Sequence, residues 1–122
     1  MAVSAKRARE LAMALENASD APHFDRTAFR TPRRIFATLA RDGRSMNFMF
    51  DLALQKQFCA LAPDAIAPVP GGWGRMGATR CELAKVALGT FVQALGAAHA
   101  RANAPRASAR KPRRAAKKAT KR

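Results

Sequence analysis

The sequence predicts an α+β domain in residues 1–102 and a disordered basic tail in residues 103–122. Two hydrophobic periodicities alternate along the first segment: apolar residues three or four apart, typical of an amphipathic helix, and apolar residues two apart, typical of a strand. After residue 102 both periodicities stop, and the composition changes to Ala, Pro, Ser, Arg and Lys. Such a segment cannot bury enough apolar surface to fold, so we expect the tail to be disordered.

Three segments have the helical periodicity. The first covers residues 3–18, and Pro22 breaks the chain after it. The second follows Asp51, whose carboxylate can accept a hydrogen bond from the first turn of a helix, and it ends at Pro63. The third covers residues 88–101. Each predicted helix has one apolar stripe, which must pack against another element.

Five segments alternate in the manner of strands, and they cover residues 23–30, 33–40, 46–50, 66–69 and 75–85. In the second segment Ile35, Ala37 and Leu39 fall on one face, and Phe36 falls on the opposite face. The Asp-Gly pair at positions 42–43 favours a tight hairpin turn to the next strand. The order helix, three strands, helix, two strands, helix predicts an antiparallel sheet of about five strands, with the helices packed on one face.

Positive charge is concentrated at the C-terminal end of the chain. The formal net charge is +15, and residues 101–122 contain ten Lys or Arg and no Asp or Glu, whereas residues 1–100 contain 13 basic and 8 acidic side chains. A segment of one sign repels itself, stays solvated and needs a polyanion to neutralise it. Nucleic acid is the polyanion that we expect as the partner, with DNA favoured over RNA. The alternative is a tail that only increases solubility.

Basic side chains in two regions are the candidates for contact with phosphate. In the tail they are Arg110, Lys111, Arg113, Arg114, Lys117, Lys118, Lys121 and Arg122. In the predicted domain they are Arg30, Arg33, Arg34 and Arg75. Arg75 closely follows Trp73 in a Gly-rich turn, where the two side chains could stack on a base and contact a phosphate. For Trp73 we favour a different interpretation, in which the side chain is buried as a plug of the core. For the arginines of the strands, the alternative to phosphate contact is a charged face that is simply solvated.

Several segments resemble the MmcQ/YjbR family. They are residues 9–15 (Arg-Glu-Leu-Ala-Met-Ala-Leu), 29–30 (Phe-Arg), 35–39 (Ile-Phe-Ala-Thr-Leu) and 67–75 (Ala-Pro-Val-Pro-Gly-Gly-Trp-Gly-Arg). The resemblance covers roughly residues 7–101 and leaves the tail outside. It implies a frataxin-like (CyaY-like) α+β fold, which agrees with the element order above, and a DNA-binding role. It implies no catalytic residues, because the family has no shared catalytic set.

Residue patterns typical of catalysis or metal binding do not occur in the sequence. His23 and His99 have no nucleophile or metal ligand at motif spacing, and the Asp residues are spread over predicted turns and caps. Cys59 and Cys81 have no Cys or His partner at ligand spacing, so we expect them to be small buried hydrophobic residues. We therefore predict a protein that is not an enzyme, with no catalytic residues, no metal site and no cofactor.

The predicted function is non-catalytic, sequence-independent binding of nucleic acid, with most of the affinity supplied by the tail. No apolar run is long enough to span a bilayer, and the N-terminal stretch has no contiguous apolar core of a secretory signal. We therefore expect a cytoplasmic monomer without a membrane partner. The alternative is a protein-interaction or regulatory module, which an exposed apolar patch around Met46, Met49 and Trp73 would favour.

Overall fold

The computed structural model describes residues 2–104, in which six strands form one antiparallel sheet. The strands are β1 (Ser19–His23), β2 (Arg26–Arg30), β3 (Ile35–Leu39), β4 (Ser45–Met49), β5 (Ile66–Pro68) and β6 (Ala78–Glu82). The helices are α1 (Ala5–Met13), α2 (Leu52–Leu61), α3 (Gly72–Arg75) and α4 (Leu88–Asn103). The strand order is β1-β2-β3-β4-β6-β5. The predicted α+β class, with helices on one face of an antiparallel sheet, is confirmed.

The sheet has one strand more than the sequence predicted. The segment 23–30 was expected to be one strand, whereas the chain from residue 19 to residue 30 forms the hairpin β1–β2. Pro22 lies inside β1, and proline is tolerated there because β1 is an edge strand, whose outer side makes no ladder hydrogen bonds. The first helix ends at Met13 rather than near residue 18, and the chain turns back through Asn17 at a φ of 60°.

The core lies between the sheet and the helices α1, α2 and α4. Phe29 of β2, Phe48 of β4 and Phe91 of α4 are fully buried in one apolar cluster. Stacked rings extend the cluster towards α2, with centroids 5.3 Å apart from Phe48 to Phe50 and 5.3 Å apart from Phe50 to Phe58. Among residues 2–104, no helix is both long enough and apolar enough to cross a membrane.

A bulge in β3 changes which of its residues face the helices. Two consecutive residues of β2 pair with Ala37 and Ile35, so Phe36 is an extra residue between them. Phe36 is fully buried, and its ring lies edge-on to His99 of α4 at a centroid distance of 5.3 Å. Ile35 lines a cavity on the opposite side of the sheet. The predicted alternation across these residues is therefore wrong, because a period of two does not continue through a bulge.

Candidate functional site

We call the side of the sheet opposite α1, α2 and α4 the open face. Directly paired residues of neighbouring strands share a face, so Ala28, Thr38, Asn47 and Arg80 form one row across β2, β3, β4 and β6. The side chains of Thr38 and Asn47 are short and leave room above the middle of the sheet. A cavity of about 570 Å³ lies on this face, and Thr38 and Asn47 are among its lining residues.

Two exposed aromatic side chains border the cavity. Phe24 lies in the turn between β1 and β2, and Trp73 lies in α3, next to β6. The two aromatics therefore come from opposite ends of the strand order. A second hollow of about 290 Å³ shares Met49, Trp73 and Arg101 with the first, and Met76 lines it. Trp73 thus stands between two hollows.

The expectation that Trp73 is a core plug is wrong, because 64% of its surface is exposed. The backbone that carries it is nevertheless firmly held. The side-chain Nε2 of Gln55 donates to the carbonyl oxygen of Gly74 at 2.7 Å and to that of Ala78 at 3.1 Å. Gly74 is buried, and a Cβ at this position would overlap the carbonyl oxygen of Val69. The chain therefore fixes α3 against the sheet while leaving the indole in solvent.

Phe24 is a site residue that the sequence analysis missed. Its side chain is 88% exposed, and its backbone adopts a φ of 59°, a left-handed conformation that is uncommon for a bulky residue. The ring packs edge-on against His23 at a centroid distance of 4.8 Å. The turn contains no glycine or asparagine, so the usual hairpin signal is absent and the residue was assigned to a strand. The available clue was Asp25, a residue type that is depleted in strands.

Arg26, also missed, is a half-buried cation of the cavity wall. Its Nε donates to Thr38 Oγ1 at 2.8 Å, and its Nη2 donates to the carbonyl oxygen of Thr38 at 3.0 Å. Burial lowers the pKa of Arg26, the neighbouring charges of Asp25 and Asp42 raise it, and Arg80 lowers it. Arg26 and Arg80 thus place two like charges near each other, and of the two acids only Asp25 lines the cavity.

The arginines of the folded part that were predicted to contact phosphate lie in different environments. Arg34 lines the cavity; its Nη2 donates to the carbonyl oxygen of Ala104 at 3.3 Å, and its buried Nε has no hydrogen-bond partner among the described residues. Arg30 is exposed on β2, with its Nε donating to the carbonyl oxygen of Thr31 at 3.2 Å. Arg33 and Arg75 are exposed.

Few basic groups of the folded part are neutralised by acids. In residues 2–104 the ion pairs join Arg9 to Asp20, Lys85 to Glu82 and Arg101 to Asp51. Within that part of the chain, the open-face arginines have no carboxylate oxygen within 4.0 Å; they are Arg26, Arg30, Arg34 and Arg80. The predicted phosphate-binding residues of the tail, 110–122, lie outside the described residues.

The apolar patch expected for a protein-interaction module has a different composition. Met46 is fully buried and belongs to the core, so its assignment to the patch is wrong. Met49 is half-buried and lines both hollows beside Trp73. Met76, which the sequence analysis did not name, is 78% exposed. An apolar surface around Trp73 therefore exists, formed by Trp73 and Met76 with the half-buried Met49 of β4 beside them.

The titratable side chains of the described region form few clusters. Across residues 2–104, no three His, Cys, Asp or Glu side chains gather in a way that could hold a metal ion. His99 Nε2 lies 2.8 Å from the carbonyl oxygen of Glu16, a contact that ties α4 to the end of the first helical segment. Cys81 is buried, and burial followed by the charge of Glu82 raises the pKa of its thiol to about 12, so it stays protonated at neutral pH.

The fold is similar to one solved structure that carries a family assignment. That structure is Deinococcus radiodurans protein DR2400, described with a DUF419 domain; the TM-score is 0.64 and the sequence identity is 14%, over 78% of this chain and 75% of that chain. At this identity the similarity establishes the fold alone. No protein-family model matches the sequence. No curated protein matches the sequence either.

Proposed function

We propose that this protein binds nucleic acid without catalysis and without reading its sequence, as a member of the MmcQ/YjbR family. The proposal includes DNA in preference to RNA, a cytoplasmic location and a monomeric state. The fold shared with a DUF419 protein supports the family, since the MmcQ/YjbR resemblance implies the same kind of domain. The observation that carries the function is the charge distribution. Arginines with no carboxylate oxygen within 4.0 Å in residues 2–104 lie on the open face, and nine further basic residues follow in residues 105–122.

The physical mechanism is the release of counterions. Each Lys or Arg that contacts a phosphate displaces condensed cations from the polymer, so the affinity falls steeply with salt. Arginine also offers a planar fork of donors that matches phosphate oxygens. Neither contribution depends on base identity, which is why we propose sequence-independent binding.

A salt titration of binding tests the proposal. Full-length protein should bind duplex DNA with a log–log salt slope of about −0.9 per phosphate neutralised. A full-length variant with Gln at the eight tail positions should lose at least about half of that slope, since these residues outnumber the unpaired arginines of the open face. They are Arg110, Lys111, Arg113, Arg114, Lys117, Lys118, Lys121 and Arg122. An unchanged slope would show that the tail is not the main phosphate contact, and absence of binding in dilute buffer would refute the function.

A protein-interaction role is the second candidate, and the exposed apolar surface formed by Trp73 and Met76 favours it. Under this alternative, a partner should remain bound to immobilised protein after exhaustive nuclease treatment of the lysate. Substitution of Met76 by Ser should release that partner while leaving the salt slope for DNA unchanged. Nucleic-acid binding is preferred because the larger hollow beside Trp73 is also lined by Arg26 and Arg34, which have no carboxylate oxygen within 4.0 Å in residues 2–104.

A further inference from the structure

We infer that the open face is a binding site for single-stranded nucleic acid, with Phe24 and Trp73 stacking on unpaired bases and the arginines between them contacting phosphates. This inference rests on the proposed function and deepens it, because it names the form of the polymer and the residues that recognise it. The tail supplies charge under the proposed function, whereas the open face supplies contacts with the bases.

Both aromatics are exposed, and the backbone that carries Trp73 is firmly held. Gln55 and the close approach of Gly74 to Val69 hold α3, yet Trp73 remains 64% exposed. Phe24 is 88% exposed at the tip of a two-stranded hairpin. An aromatic side chain that is withheld from the core while its backbone is held in place is preorganised to contact a ligand.

The open face offers aromatic rings and space that suit unpaired bases. The π-faces of bases are hidden by stacking inside a duplex, whereas single strands offer them to aromatic side chains without regard to sequence. Trp73 lines two hollows, of about 570 and 290 Å³, so there is space for bases beside it. The short side chains of Thr38 and Asn47, which pair across β3 and β4, line the larger hollow.

The charge of the open face decides among its possible occupants. Arg26 and Arg34 line the larger hollow and Arg80 lies near it, against the single carboxylate of Asp25 among the lining residues. A second copy of this face would bring like charges together, so the charge disfavours a symmetric dimer through it. A basic segment such as residues 105–122 is repelled for the same reason. A polyanion with planar apolar groups satisfies both the cations and the aromatics.

Intrinsic fluorescence offers a direct test, because Trp73 is the only tryptophan and the chain has no tyrosine. Full-length protein is titrated with oligothymidylate of about 15 nucleotides, a length within the range that one domain can bind. We expect the emission of Trp73 to be strongly quenched by the single strand and to change little with a duplex of equal length. Quenching requires contact with the indole, so phosphate binding by the tail alone does not produce it.

Four full-length variants then separate stacking from other contacts, with fluorescence anisotropy of labelled oligothymidylate as the readout. Phe24→Ala and Trp73→Leu should each weaken single-strand binding about 5- to 150-fold, the range for loss of one stacked base, without changing the salt slope. Trp73→Phe should retain most of the affinity, since a ring remains. Leu61→Ala removes an exposed apolar side chain of α2, away from the open face, and should have no effect.

Each remaining outcome overturns the inference in a distinguishable way. If single strands bind with normal salt dependence but Trp73 emission and all variants are unchanged, the open-face site is wrong while phosphate binding by the tail stands. If Trp73→Leu binds as well as Trp73→Phe, the contact is not stacking. If the variants lose self-association in sedimentation instead of DNA affinity, the face joins two copies. If the protein binds no nucleic acid at all, the proposed function fails as well.

Discussion

Substitution of Gly74 by Ala tests whether the backbone of α3 is held as tightly as the contacts indicate. A Cβ at Gly74 would overlap the carbonyl oxygen of Val69 and lie 2.8 Å from its carbonyl carbon and 3.1 Å from its nitrogen. All three are backbone atoms, so no change of rotamer relieves the overlap. The amide of Val69 in turn donates to the carbonyl oxygen of Ala78 in β6 at 3.0 Å, so this backbone cannot move away freely.

The size of the destabilisation depends on how the overlap at Gly74 is relieved. Inserting one methyl group into a packed site with no room costs about 1–3 kcal/mol. If α3 moves outward instead, Gln55 loses its bond of 2.7 Å to the carbonyl oxygen of Gly74, which contributes about 0.5–1.5 kcal/mol. The higher helix propensity of Ala offsets at most about 1 kcal/mol. We expect Gly74→Ala to lower the free energy of unfolding by about 1–3 kcal/mol.

Urea denaturation followed by far-ultraviolet circular dichroism measures this change independently of Trp73. Gly72→Ala is the matched control, because its Cβ would meet only the Nη2 of Arg75 at 3.7 Å, an ordinary contact. The control should unfold within about 0.5 kcal/mol of the parent protein, as surface substitutions usually do. The argument for an anchored Trp73 fails if Gly74→Ala is as stable as Gly72→Ala.

Three further stability predictions follow. Asp51→Ala should cost about 0.5–2 kcal/mol in urea denaturation, because Oδ1 accepts from the amide of Leu54 at 2.8 Å as the cap of α2, whereas Asp51→Asn should retain most of that stability. Gly96→Ala should raise the denaturation midpoint and stabilise α4 by up to about 1 kcal/mol, since its Cβ would meet no atom within 4 Å. Burial raises the pKa of Cys81 from 9.0 to about 12, so its protonated thiol stabilises the fold fully below pH 9.0 and this contribution is lost as the pH rises towards about 12. Denaturation midpoints across that range should therefore fall less steeply for Cys81→Ala than for the parent protein.

Local patterns were sufficient for those parts of the fold whose signals are local. The Asp-Gly turn at positions 42–43 and the alternation around Phe48 gave the hairpin β3–β4, and Asp51 gave the start of α2. β5 was correctly placed at the edge of the sheet, since Pro68 cannot donate to a ladder. In each case one or two side chains determine the backbone over a few residues.

Pairing between distant residues decided the parts that the sequence did not predict. The strand β1 contains Pro22 and is mostly exposed, so only its pairing with β2 makes it a strand. The bulge at Phe36 is visible only from the register between β2 and β3. The position of Trp73 is equally non-local, because the side chain of Gln55 holds the neighbouring Gly74 from 19 residues away in sequence.

The candidate site could be predicted only where charge alone identifies it. Arg34 was expected to contact phosphate from its position in a basic cluster, and it does line the cavity. Phe24 and Arg26 were missed because nothing in residues 23–30 indicated that a hairpin turn divides them. Met46 was named as part of an apolar patch whose exposure would favour the protein-interaction alternative, but the alternation of β4 points it into the core.

The tail and the open face should act on affinity through different physics, and this difference can be measured. Phosphate contacts by the tail depend on counterion release and weaken with salt, whereas stacking on Trp73 does not. Neutralising the tail and substituting Trp73 by Leu should therefore add in the logarithm of the single-strand affinity, with only the tail effect changing between low and high salt. The double variant, compared with both single variants at two salt concentrations, provides this measurement. A coupling above about 0.5 kcal/mol would mean that the tail and the open face compete for one site, which contradicts the repulsion expected between a basic segment and the arginines around Trp73.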